Sequence, residues 1–141
     1  TRLSMVICPD KINQQRHVDL FKNKEDIESH MTKHANLIRP KFETSYEILG
    51  SISDDYGTFS KPTGGYFITY KTSKPIASEV IELCSVLGVS LTPAGATFPN
   101  SNDPNNNIIR IAPTFIDEDE LKIAMDVFIT SVQVAHLGLK T

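Results

Sequence analysis

Apolar residues recur along this chain at two different periods, and the change of period divides it into elements. From Ile12 through Arg16 to Leu20 the spacing is four, which places all three on one stripe of a helix starting after Pro9-Asp10, with Asp10 as its cap. A second start follows at Asn23, with Asp26 three residues on. From there Ile27, Met31, Ala35, Ile38, Phe42, Tyr46 and Leu49 step by threes and fours, predicting a long amphipathic helix that ends near Gly50. Pro40 falls inside it, where a proline removes one hydrogen bond and costs about 3 kcal/mol unless a kink is wanted. The pattern fits one kinked helix or two helices meeting at Arg39-Pro40.

Beyond Gly50 the period shortens. Ser51 to Pro62 is rich in turn formers, with room for a short strand around Thr58-Phe59. Tyr66 to Tyr70 alternates aromatic and β-branched residues and reads as a strand, as do Val89 to Thr92, ended by Pro93, and Ile108 to Ala112. Between the first two, Pro75 opens a helix whose apolar face is Ile76, Val80, Ile81, Cys84 and Leu87, with Gly88 as its stop. Pro99 to Asn107 is a loop. Asp117, with Glu120 three residues later, caps a last helix with a buried stripe of Leu121, Met125, Phe128, Val132 and Ala135, ended by Gly138. Helices thus bracket a small sheet of three or four strands centred on 66–70, 89–92 and 108–112, an α+β two-layer domain. The division is a helical segment over 1–50 and the α+β domain over 51–141.

Composition narrows the function classes. The chain has 141 residues, enough for one domain with a real core, and carries a net charge of −3 with no lysine/arginine block. That argues against nucleic-acid binding, which calls for a basic face. The apolar run Met5-Val6-Ile7-Cys8 is too short for a signal peptide core or a membrane span. Cys8 and Cys84 stand alone, in no metal spacing, and fit free thiols in a reducing cytosol.

The residue with most chemical content is Arg110. It sits in Asn107-Ile108-Ile109-Arg110-Ile111-Ala112, where alternation places Ile108, Arg110 and Ala112 on one side and Ile109 and Ile111 on the other. A guanidinium on a rigid strand among apolar neighbours is costly unless it meets an anion, and its planar fork suits a carboxylate. The plain alternative is an edge-strand arginine facing water. Gly64-Gly65 ahead of Tyr66 allows close backbone approach of a ligand, or simply a turn into a strand. Arg16 lies either at an interface or on a solvated helix shoulder. His30 and His34 have metal-ligand spacing, but Met31 replaces the glutamate of the zincin pattern and no third ligand is near, so no metal is expected. His17 and His136 have no evident partner and read as structural. The acidic run Asp117 to Glu120 complements a helix dipole.

The ordered set Lys61-Pro62-Thr63-Gly64-Gly65-Tyr66-Phe67-Ile68, Leu91-Thr92-Pro93-Ala94-Gly95-Ala96-Thr97-Phe98-Pro99 and Asn107-x-x-Arg110 leading into Ala112-Pro113-Thr114-Phe115 resembles the C-terminal part of fold-type I aminotransferases that use pyridoxal phosphate. With "PDKINQQRH" and "HANLIRPKF" earlier, it is similar to the aspartate aminotransferase-like branch allied to the aminotransferase domains of MocR-type regulators. The resemblance implies a small domain preceded by a long kinked helix from a large domain. It implies transamination between an amino acid, with aspartate a candidate, and a 2-oxo acid in a cytoplasmic homodimer, with no nucleic-acid or membrane partner. Arg110 would bind the substrate α-carboxylate, supported by Asn107, Gly64, Gly65 and Tyr66, with Arg16 a candidate for active-site or dimer contacts. No catalytic residue is assigned here. The Schiff-base lysine follows Ser/Thr-x-x-Lys in the family. The only such spacing here, Thr58-x-x-Lys61, falls at the Pro-x-Gly-Gly position, so Lys61 does not receive that role. The chain accordingly resembles the last third of an enzyme, and no tightly bound pyridoxal phosphate and no activity are expected of it alone. The alternative is a non-catalytic amino-acid-binding or regulatory module of MocR type.

Overall fold

The computed structural model describes residues 10–138. Met5 to Cys8 lie outside them. The chain divides into two units, Thr1–Leu37 and Ile38–Thr141.

In the first unit, helix α1 spans Lys11–Leu20. The Asp10 carboxylate accepts from the backbone N–H groups of Ile12 and Asn13 at its N-terminus. Helix α2 spans Lys24–Gly50 and begins with Asn23 Oδ1 accepting from Asp26 N–H at 2.9 Å. It runs through Pro40 without a break, so the one-helix reading holds. The predicted stripe is unevenly covered. Ile12, Leu20 and Met31 are more than 60% exposed, at 69%, 65% and 62%, whereas Phe42 and Tyr46 are half-buried and Leu49 is buried.

The second unit carries the sheet. Strands β1 (Gly57–Phe59), β2 (Ile68–Thr72) and β3 (Ile108–Ile111) lie in that order, both pairs antiparallel. The register sets Thr69 opposite Arg110 and Ile68 opposite Ile111. Ile68, Tyr70, Thr72, Ile109 and Ile111 turn to the buried face, each contributing on the order of 2 kcal/mol where the side chain is large and apolar. Helices α3 (Ala77–Val86) and α4 (Glu118–Leu137) pack against each other and complete one core with that face. The ring of Phe128 on α4 meets Tyr70 edge-on at 5.2 Å. All five predicted stripe residues of α4 are buried, and Gly138 ends it in the left-handed conformation at φ 67°. This is the α+β arrangement expected, with three strands.

Three local expectations need correction. The strand read as 66–70 lies two residues later, because Phe67 and Tyr66 are about half exposed and the buried alternation begins at Ile68. Residues 89–92 form no strand. Proline 93 has no N–H to extend a ladder, and a cavity of about 350 Å³ opens where this segment meets β3. Leu87 is 58% exposed rather than on the buried face of α3, since the helix has ended at Val86 and Gly88 turns the chain at φ 86°.

Candidate active site around Arg110

Arg110 belongs to the sheet face away from the buried residues, as alternation demands: its neighbours Ile109 and Ile111 are 1% and 4% exposed, while Arg110 itself is half-buried. Its guanidinium leans along β2 toward Phe67, with Cζ 4.5 Å from the ring centroid. Its Nε–H and an Nη2–H both donate to Thr92 Oγ1, at 3.2 and 3.1 Å. Among the described residues no carboxylate lies within ion-pair distance of it. A charged fork is therefore held on one edge by a neutral acceptor and on one face by a ring, with no anion of its own.

Thr92 and Phe67 owe their positions to local sequence. Thr92 precedes Pro93, which biases it to extended backbone. The following turn is tied by Ala96 N–H to Pro93 O and Phe98 N–H to Gly95 O, at 3.1 and 2.8 Å. Gly95 lies at φ 76°, and a Cβ there would come within 2.3 Å of the Ser101 carbonyl oxygen, so only glycine fits. Phe67 sits between the Gly64-Gly65 turn and β2. Gly65 has φ 90°, and a Cβ on either glycine would meet nothing within 4 Å. Tyr66 is 48% exposed.

Asn107 stands at the entrance of β3, where its N–H donates to Asp103 Oδ2 at 2.8 Å and its carbonyl accepts from Thr72 N–H at 2.9 Å. Its backbone thus anchors the strand that carries Arg110. Asp103 also accepts from Ile108 and Asn105 N–H groups. Burial alone would raise its pKa, but the backbone donors of Ile108, Asn105, Asn107 and Asn106 outweigh this and hold the carboxyl below its usual range. The sequence points to the 64–67 segment beside Arg110 but not to Asp103 or Thr92 as site-builders. The Asp-Pro-Asn-Asn-Asn run was a legible Asx-turn signal for Asp103; nothing in one dimension brings Thr92 to Arg110.

The cavity bounded by Leu91, Thr92, Arg110, Ala112, Phe115 and Met125, among others, has largely apolar walls with Arg110 as its one cation. Arg16 is exposed on α1, in the first unit. His30 contacts the Phe21 ring edge-on at 5.2 Å. No group of three or more metal-binding side chains occurs among the described residues. His17 Nδ1 bonds the Asn13 carbonyl, and His136 stacks at a tilt on Tyr56.

Among the described residues, no lysine near the sheet is brought beside Arg110 to meet pyridoxal phosphate. Lys71 shares the sheet face of Arg110 but pairs with Ile108, whereas the guanidinium leans the other way onto Phe67. Lys41 is bound by the carbonyls of Thr114 and Ile116, Lys74 by that of His136, and Lys61 lies over the Phe59 and Tyr46 rings. No step through that group is derived from this chain.

A family model described as aspartate amino-transferase matches residues 3–140. The aspartate aminotransferase of Corynebacterium glutamicum is 40% identical over 131 residues, covering 92% of this chain and 30% of the relative. The crystal structure of an aspartate transaminase from Corynebacterium glutamicum superposes with a TM-score of 0.86 at 37% identity, covering 94% of this chain and 32% of that one. The kynurenine aminotransferase of Pyrococcus horikoshii shares the fold, with a TM-score of 0.71 at 22% identity over 89% of this chain and 29% of that one. The chain thus spans about a third of the length of the relatives it matches. With a family match across nearly all its residues, the chain belongs to the aspartate amino-transferase family.

Proposed function

We propose that this chain is the C-terminal small domain of a pyridoxal-phosphate-dependent aminotransferase, moving an amino group between an amino acid, aspartate being the first candidate, and a 2-oxo acid. Residues 1–50 are read as the helical segment leading from a large domain and 51–141 as the small domain itself. The large domain supplies the lysine, the ring acid and the phosphate site, and the active protein is a cytoplasmic homodimer. Two observations bear on the cellular setting: Cys84 is a buried free thiol, and no helix among the described residues is long and apolar enough to cross a membrane.

The observation that carries the reading is Arg110, half-buried, braced by Thr92 and Phe67, with no carboxylate partner among the described residues. An α-carboxylate common to donor and acceptor completes it. Two parallel charge-assisted hydrogen bonds fix the substrate, and orientation of this kind lowers a barrier by several kcal/mol. Asn107 and the 64–67 turn support that geometry through the backbone of β3 and the position of Phe67. The test is R110A in the full-length protein. It is expected to raise KM for both substrates and lower kcat/KM on the order of a hundredfold. An unchanged kcat/KM removes Arg110 from the site.

A further inference from the structure

A guanidinium offers a carboxylate two forks, the side edge Nε/Nη2 and the end edge Nη1/Nη2. In this structure Thr92 Oγ1 takes the side edge, receiving both of its hydrogens at 3.2 and 3.1 Å. Phe67 covers one face at 4.5 Å. What is left is the end edge, with both hydrogens of Nη1 and the second of Nη2. The same contacts restrain rotation about the terminal bonds of the arginine and favour one orientation of the end fork.

Thr92 is itself immobilised. Its backbone leads into Pro93, and the turn behind it closes through two backbone hydrogen bonds and a glycine that no other residue replaces. The threonine hydroxyl accepts two hydrogen bonds and is uncharged, so it orients the guanidinium without neutralising it. An aspartate or glutamate at the same place would fix the arginine equally well and cancel its attraction for a substrate anion.

We infer that Thr92 is the positioning residue that makes Arg110 an end-on carboxylate fork. This rests on the reading of Arg110 as the α-carboxylate binder and adds to it how the fork is aimed. In this role Thr92 acts through Arg110, by the two hydrogen bonds it accepts.

The experiment compares T92V, T92S, R110A and R110A/T92V in the full-length protein. The readouts are kcat and KM for L-aspartate with 2-oxoglutarate, and the calorimetric Kd of succinate, a carboxylate that cannot react. T92V keeps the side-chain volume and removes the acceptor. It is expected to raise KM and the succinate Kd about tenfold and to lower kcat as the substrate loses its orientation, while T92S stays within about threefold of wild type. In the R110A background T92V adds less than about twofold, because the interaction it removes is already gone. The inference is overturned if T92V matches wild type, if T92S is as impaired as T92V, or if the two losses are additive. Should T92V melt well below wild type, T92A poses the same question by the same criteria. R110A distinguishes the underlying reading. If R110A leaves kcat/KM and succinate binding unchanged, the carboxylate role of Arg110 fails. If R110A is impaired and T92V is not, only the role of Thr92 fails.

Discussion

Tyr70 is fully buried on β2, and its hydroxyl has no hydrogen-bond partner among the described residues. An unmade hydrogen bond on a buried polar atom costs about 1–3 kcal/mol, so Y70F is expected to be neutral or stabilising at pH 7, read as an unchanged or higher Tm. Burial, with the charge of Asp54 adding to it, pushes the Tyr70 pKa up to about 12. A phenol whose folded pKa is raised retains its full contribution below the unfolded value near 10 and loses it as pH rises toward the folded value. Wild type is therefore expected to lose stability between pH 10 and about 12 more steeply than Y70F in parallel denaturant titrations. Asp103 has the opposite sign. Burial acts against it, but backbone donors hold its pKa down, so its contribution is present above the unfolded carboxylate value near 4 and fades as pH falls through the folded one. The stability gap between wild type and D103N is expected to close below about pH 4, measured by urea unfolding across that range. A gap that persists unchanged at pH 2 would mean that the carboxylate charge is not what holds the 103–108 turn.

At the scale of elements, the ends matter more than the middles. Helix α4 carries its own signals, Asp117 at the start and Gly138 at the end, and the Asp117 carboxylate accepts from Glu120 N–H at 2.9 Å. Helix α3 has no capping side chain at its N-cap residue Ile76. Its start is satisfied from 28 residues away in sequence: Asn106 Oδ1 accepts from Ser78 N–H at 3.0 Å, and the Asn106 side-chain amide donates to Pro75 O. N106A is expected to cost about 1–2 kcal/mol and lower Tm by a few degrees in calorimetry. The same loop leads into β3 two residues later, so loosening it is also expected to raise KM in the full-length protein. At the Thr92 end, G95A forces a Cβ against the Ser101 carbonyl and into a left-handed backbone. It is expected to destabilise by roughly 1–3 kcal/mol and to weaken substrate binding as T92V does. A KM that stays at the wild-type value in G95A would show that the turn does not set the position of Thr92.

On the scale of the whole molecule, the second unit has a single core, made of one sheet face and two helices plus the end of α2, with the opposite sheet face left to Arg110 and its supports. On the proposed reading, the face opposite the core presents Arg110 to a site completed elsewhere. The 141-residue chain alone is accordingly expected to show no rise in Tm with millimolar aspartate. A clear ligand-dependent rise in differential scanning calorimetry would instead favour an autonomous amino-acid-binding module.

Most of the helical architecture was legible in one dimension, because caps and a 3.6-residue period are local. Asp10, Asn23 and Asp117 bond the N–H groups two or three residues ahead, and the stripe from Leu121 to Ala135 faces one way whatever it packs on. The facing of Arg110 was legible for the same reason, since a strand alternates by geometry alone. The edges of strands were not: β2 begins where burial begins, at Ile68, and 89–92 had strand-forming residues without a ladder to join. Nor was the bracing of Arg110. Thr92 lies 18 residues and Phe67 43 residues from it, and only the antiparallel pairing of β2 with β3 and the Pro93–Gly95 turn bring hydroxyl, ring and guanidinium together. Sequence by itself determined which residue carries the charge, because residue type and local period need no partner. Tertiary structure alone decided which edge of that charge stays open, because hydrogen bonds between distant segments exist only once the chain has folded.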